Sequence, residues 1–145
     1  RALKNYLIWS GDQKMIRVKI VPNDINTVAK VVLIDENSRV LLLKRSNYMD
    51  KFAGEWDLPG GHLKKGESLF NGLRREVKEE TNLTVEEPKF IETQKNLHFF
   101  YAKYNSKPIV LSHEHTGFRF FSKQDLDESQ KFQKIALKAL EMIND

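Results

Sequence analysis

The chain has 145 residues, no cysteine, 30% charged and 40% hydrophobic side chains, and a formal net charge of +4. That length suits one domain with a proper core, and the missing cysteine excludes a disulfide scaffold, a thiolate zinc site and a catalytic thiol. The longest aliphatic stretches, at 31–34 and 40–43, are far too short to span a bilayer, and no apolar run of signal-peptide length opens the chain. No membrane partner and a cytoplasmic setting are therefore expected.

The elements follow in order. Residues 6–9 and 15–21 are apolar stretches around Ser10-Gly11-Asp12 and read as a hairpin. This segment also holds the whole charge surplus: Arg1, Lys4, Lys14, Arg17 and Lys19 face only Asp12, while the rest of the chain balances at 19 basic and 19 acidic residues. A solvated basic hairpin explains that surplus, so the charge argument for a nucleic-acid partner is weak. Residues 27–34 and 40–44 are β-branched or aliphatic runs flanking Asp35-Glu36-Asn37-Ser38, a second hairpin. Residues 46–66 read as irregular and glycine-bearing, and 68–81 as a helix. Strands are expected at 97–104, 109–111 and 118–121. The tail repeats apolar residues at Phe132, Ile135, Ala136, Ala139, Leu140 and Ile143, a helical stripe that should dock on the sheet. With no repeat or linker, residues 1–145 are expected to form a single α/β domain, a mixed sheet with helices packed on it.

The helix at 68–81 breaks its own pattern. With Leu69 at zero and about 100° per residue, Leu73, Val77 and Phe70 fall between about 40° and 100°. Glu80 lands near 20°, inside that apolar arc, Glu76 lies on its border near 340°, and Glu79 flanks them near 280°. These acids also crowd the helix C-terminus, where the backbone dipole is already negative, and burial adds to the cost. Either the helix end frays and leaves them in water, or basic neighbours and a bound cation balance them. Arg75 can pair with Glu79 four positions on. A hard divalent cation with oxygen ligands is the better account, and Mg2+ suits a short glutamate cluster that shares it with substrate phosphates.

Upstream, Trp56-Asp57-Leu58-Pro59-Gly60-Gly61-His62-Leu63 leads into the helix, with a tight turn allowed by the two glycines and an N-cap at Ser68. Carbonyls in such a turn could complete a metal shell. Gly72 within the helix points to close packing. Together these residues resemble the Nudix hydrolase signature, G-x5-E-x7-R-E-(apolar)-x-E-E-x-G-(apolar). Here it runs from Gly61 through Glu67 to Arg75-Glu76-Val77-Lys78-Glu79-Glu80 and ends at Asn82-Leu83. Asn82 replaces the last glycine of the pattern; a left-handed residue that ends the helix is the demand there, and Asn meets it.

The resemblance implies an α/β/α sandwich with the mixed sheet between helices, and hydrolysis of a pyrophosphate bond in a nucleoside diphosphate linked to another moiety. Dinucleoside polyphosphates, nucleotide sugars and nucleoside triphosphates are such substrates. It implies Mg2+ as cofactor, with Mn2+ as a substitute, held by Glu76, Glu79, Glu80 and the Gly60 carbonyl. Arg75 would orient the cluster and Glu67 brace it. Glu114, in Ser112-His113-Glu114-His115, is the candidate for the further acid that family members add from a later loop. Glu76, Glu79 or Glu114 would be the general base. Lys44, Arg45 and Arg119 end strands near the expected site and are candidates for phosphate contacts. Tyr101 resembles, by its distance from the signature, a tyrosine of the dinucleoside-polyphosphate branch. Phe52, Trp56, Phe100, Tyr101 and Phe118 could stack a base, with core packing as the default for aromatics in strands. His113 and His115 read as polar loop residues rather than zinc ligands, His62 as a loop residue near solvent and His98 as structural. A fold-only binding module and an RNA 5′-end hydrolase are the competing readings. The sequence leaves a homodimer open.

Overall fold

The computed structural model describes residues 4–9 and 15–20 by their backbone and residues 26–47 and 53–144 in full. The first hairpin is present as β1 (Lys4–Trp9) and β2 (Met15–Ile20), antiparallel with Ile8 opposite Ile16. Its turn at 10–14 and its basic side chains lie outside the described residues, as does the candidate stacking residue Phe52.

The second hairpin joins β3 (Val28–Ile34) to β4 (Val40–Arg45). Its turn is held by Asp35, whose carboxylate accepts the N–H groups of Asn37 and Arg39 at 3.0 and 2.8 Å. Two short strands follow, β5 (Trp56–Asp57) on β4 and β6 (Gly60–His62) on β3, then α1 (Leu69–Thr81), β7 (Lys89–Gln94), β8 (Leu97–Lys103), β9 (His115–Phe121) and α2 (Lys131–Ile143). The path β5-β4-β3-β8-β7 forms one sheet, extended by β6 on β3 and by β9 on β4. Among the described strands only β3 and β8 run parallel, and α1 lies in the long crossover that a parallel pair requires.

All seven residues of β3 are buried because helices cover both faces of the sheet. The alternation sorts its side chains: Ala29, Val31 and Leu33 pack with Leu69, Leu73 and Val77 of α1, and Val32 and Ile34 with Ile135, Ala136, Ala139 and Leu140 of α2. The architecture is the expected helix–sheet–helix sandwich. No helix among the described residues is long and apolar enough to cross a membrane.

Three expectations need correction. Residues 46–66 are not wholly irregular, since they hold β5 and β6, and β7 was not expected from the pattern. The strand at 118–121 starts earlier, at His115. Residues 109–111 form no strand; this segment caps α1 instead, with Val110 N–H donating to the Thr81 carbonyl and the following Ser112 N–H to that of Glu80, both at 3.0 Å. These bonds satisfy carbonyls that a helix end leaves open.

Candidate active site

The loop before α1 is shaped by close backbone approach. Gly60, at φ +126°, crosses β3 so tightly that a Cβ there would stand 2.1 Å from the Ala29 carbonyl oxygen. Gly61 lies against Glu76, whose Oε2 would be 2.7 Å from an added Cβ. Gly60 therefore requires glycine, while a side chain at Gly61 would push the Glu76 carboxylate aside. The helix starts where Ser68 Oγ accepts the Asn71 N–H at 3.2 Å. It ends at Asn82, left-handed at φ +65°, whose N–H donates to the Lys78 carbonyl at 2.9 Å.

Arg75 is the hub of the acid cluster. Its Nε and Nη2 donate to the two oxygens of Glu67 at 2.7 and 3.0 Å, Nη1 reaches Glu76 and Glu79 at 3.1 Å each, and Nη2 also donates to the His62 carbonyl at 3.0 Å. The two parallel bonds to Glu67 need a planar fork, which Arg has and Lys lacks. They hold the Glu67 carboxyl below its usual range. Glu76 is half-buried, and its pKa is raised: desolvation outweighs Arg75, and the charges of Glu79 and Glu114 add to the rise. Glu114, from the loop before β9, is near enough for its charge to be felt at Glu76. Glu79 is the most exposed of the set, with 55% of its side chain open to solvent.

Glu80 stands on the core side of α1, only 5% exposed, and its Oε1 accepts the Gly60 N–H at 2.7 Å. Burial pushes its carboxyl up to about 8, with Asp57 and Glu76 adding repulsion and Lys30 and the Gly60 N–H opposing. A buried carboxylate so placed is stabilised by a nearby cation. The donor set, carboxylates on adjacent turns beside a glycine turn, has the hard-oxygen chemistry that suits Mg2+. As the side chains stand, no three acids or histidines among the described residues converge on one point. Arg75 draws three of the glutamates onto itself, and Glu80 onto the Gly60 amide. In its donor chemistry the set fits Mg2+.

The residue that sequence reasoning missed is Lys30. It lies in the middle of β3 and is buried, and its ammonium donates to Asp57 Oδ1 and Oδ2 at 3.1 and 3.3 Å and to the carbonyls of Leu58 and Gly60 at 3.1 and 2.9 Å. The Gly60 carbonyl, expected to bind a metal, thus already accepts one hydrogen bond. Arg45 joins the same network, with Nη1 3.1 Å from Asp57 Oδ2, and the buried ring of His115 places Nε2 3.4 Å from that oxygen. Burial alone would push the Asp57 carboxyl up, but Lys30 and His115 outweigh it and hold it at about 2. The visible signal was a lone charged residue in an otherwise apolar strand.

Beside this network opens a cavity of about 350 Å3, walled by Trp56, Leu97 and Phe132 and edged by Arg45, Asp57 and His62. His62 belongs to both the cavity and the Arg75 cluster. Other expected site residues are not brought together here. Tyr101 is corrected to a core position: it is buried on β8 with the α2 cluster, because a strand covered on both faces buries alternate side chains on each. Arg119 sits 4.4 Å over the Phe121 ring and pairs with Asp125 at 3.3 Å, and the Lys44 ammonium lies 6.0 Å over Trp56. Phe100 is fully buried, and Phe118 is exposed on β9. His98 is buried, with Nδ1 2.8 Å from Thr93 Oγ1. His115, expected in a polar loop, is instead enclosed at the start of β9, while His113 is exposed.

The NUDIX domain family model matches residues 25–142. The chain is similar to the MutT protein of Methanosarcina mazei Go1, with 27% identity and a TM-score of 0.64 over 82% of this chain and 94% of that one. It is similar to an ADP-ribose pyrophosphatase of Methanocaldococcus jannaschii, 36% identical over 77 residues, or 53% of this chain and 42% of the relative. An m7GpppN-mRNA hydrolase of Xenopus laevis is 41% identical over 61 residues, 41% of this chain and 21% of that protein. The chain therefore spans less than half the length of these two curated relatives. With the signature helix, the glycine turn and the sandwich all present and the family match running through them, the chain belongs to the Nudix family.

Proposed function

We propose that this chain is a Mg2+-dependent hydrolase, with Mn2+ as a substitute, that cleaves a pyrophosphate bond in a nucleoside diphosphate linked to another moiety. The observation that carries the reading is the buried Glu80 carboxylate beside the Gly60 turn, with Glu76, Glu79 and Glu67 gathered one turn away on Arg75. Glu76, Glu79, Glu80, Glu114 and the free lone pair of the Gly60 carbonyl would hold the metal. When bound, Mg2+ neutralises phosphate oxygens and lowers the pKa of a coordinated water. Glu76, Glu79 or Glu114 takes the proton from the attacking water, and Arg75 with Glu67 keeps those carboxylates oriented. Arg45, at the cavity edge, faces the phosphate chain. The cavity walled by Trp56 and Phe132 takes the planar or apolar part of the substrate, next to the cluster through His62.

The relatives named for ADP-ribose and for capped mRNA act on compounds that share this chemistry, which supports the class and leaves the individual substrate to experiment. The test is a panel of dinucleoside polyphosphates, nucleotide sugars, ADP-ribose, triphosphates and capped RNA, assayed with Mg2+, with Mn2+ and with chelator. Turnover of at least one member with either metal, abolished by chelator, is expected. Nucleotide binding without turnover in every condition overturns the enzymatic reading.

A further inference from the structure

Lys30 is the one charged residue of β3, and its three N–H bonds meet four acceptors on the segment Asp57 to Gly60. Val31 N–H donates to the Pro59 carbonyl at 2.9 Å, so the carbonyls of Leu58, Pro59 and Gly60 are all held by two neighbouring residues of one strand. Gly60 has no side chain to fix it and stands at φ +126°. Its conformation is set from outside, by Lys30 at its carbonyl and by Glu80 at its N–H. The next residue, Gly61, is the surface on which the Glu76 carboxylate rests.

We propose that Lys30 is a positioning residue of the metal cradle: by fixing the Gly60 carbonyl it sets the turn against which Glu80 and Glu76 are aligned. This rests on the metal-dependent reading above. Lys30 also lines the cavity assigned to the substrate, but its N–H donors are taken up by Asp57 and the two carbonyls. A carbonyl oxygen has two lone pairs, so a bond from Lys30 leaves one for a metal and aims it.

The idea has a sign that distinguishes it from simple electrostatics. Deleting a positive charge near a cation site should tighten cation binding on direct Coulombic grounds. It also removes a charge that opposes protonation of Glu80. A loss by protonation shrinks as pH rises whereas a loss of position does not, so the titration is run at two pH values. If Lys30 positions the cradle, deletion weakens it. The experiment is a Mn2+ titration, followed by electron paramagnetic resonance, of the wild type, Lys30→Met and the double variant Lys30→Met/Asp57→Asn. Weakening of roughly tenfold to a hundredfold is expected, the range for groups that orient metal ligands. The double variant removes both buried charges and should recover thermal stability without recovering Mn2+ affinity; it carries the same test should Lys30→Met fail to fold. Unchanged or tighter Mn2+ binding in either folded variant overturns the proposal, as does recovery of affinity together with stability. A wild type that binds no Mn2+ overturns the metal-dependent reading itself, and this proposal with it.

Discussion

Glu80 reaches from the core side of α1 to accept the Gly60 N–H at 2.7 Å, and that single bond serves a carboxyl whose pKa burial has pushed up to about 8. The folded pKa is raised above the unfolded one, so this group's contribution is fully present at low pH and is lost as pH rises from the ordinary carboxylate range through about 8. Glu80→Gln removes the charge and keeps an acceptor for Gly60. In chelator the variant should gain a few degrees in Tm at pH 8 to 9 and little near pH 4, while turnover with Mg2+ falls on the order of a hundredfold or more. Thermal melts at the two pH values and a rate assay check this; a variant less stable at pH 9, or one with wild-type turnover, contradicts the placement.

Arg75 holds Glu67 with two parallel bonds and Glu76 and Glu79 with a third nitrogen. Arg75→Lys retains the charge and loses the fork, so stability should fall by roughly 1 kcal/mol while kcat drops about tenfold to a hundredfold. The loss should appear in kcat more than in KM, because Arg75 is occupied by the acids. Steady-state kinetics at saturating Mg2+ decide it. A kcat within about twofold of wild type would show that the acids align without Arg75.

The sandwich was legible because its signals are local: continuous apolar runs in β3 and β4, the stripe of α2, and the capped helix between Ser68 and Asn82. The misplacement of Glu80 in that helix already marked the site, since a wheel shows which face a residue takes. Other elements were hidden for reasons of distance. β5 and β6 are too short to show a period and exist because β4 and β3 pair with them. Residues 109–111 look like a strand because Ile-Val-Leu is an aliphatic run, but their partner is a helix end, which no local pattern encodes. Lys30 was read as part of an apolar run because its acceptors, from Asp57 to Gly60, lie 27 to 30 positions away. Tyr101 went astray for a related reason: its spacing from the signature says nothing about which face of β8 it takes.

Asp57 receives Lys30, Arg45 and His115, and its carboxyl is held at about 2 against 3.8 for the ordinary group. A depressed folded pKa contributes stability that is present above 3.8 and lost as pH falls toward 2. The contribution is on the order of 2 kcal/mol. Urea melts from pH 5 to pH 2 should therefore show a steeper loss for the wild type than for Lys30→Met/Asp57→Asn, which has no carboxyl to protonate there. Parallel curves in that window would show that Asp57 does not drive acid unfolding. Asp57→Asn alone leaves Lys30 buried without its counter-charge and should cost roughly 3–5 kcal/mol at neutral pH.

Gly72 sits on the face of α1 that meets the loop before it. A Cβ there would stand 2.6 Å from Leu63 Cγ, 2.9 Å from Leu63 Cδ1 and 3.1 Å from Glu67 Oε1. Alanine is the better helix former by about 1 kcal/mol. Forcing Leu63 aside in a filled core costs roughly 1–3 kcal/mol, so the clash should win and Gly72→Ala should lower stability. The same methyl presses on the Glu67 carboxylate that Arg75 grips, so the damage should reach the cluster as well: turnover at saturating Mg2+ should fall while the helix content by circular dichroism is retained. A variant that melts higher than the wild type, as helix propensity alone predicts, would mean that Leu63 yields freely and that the close contact at Gly72 sets neither the packing of α1 nor the position of Glu67.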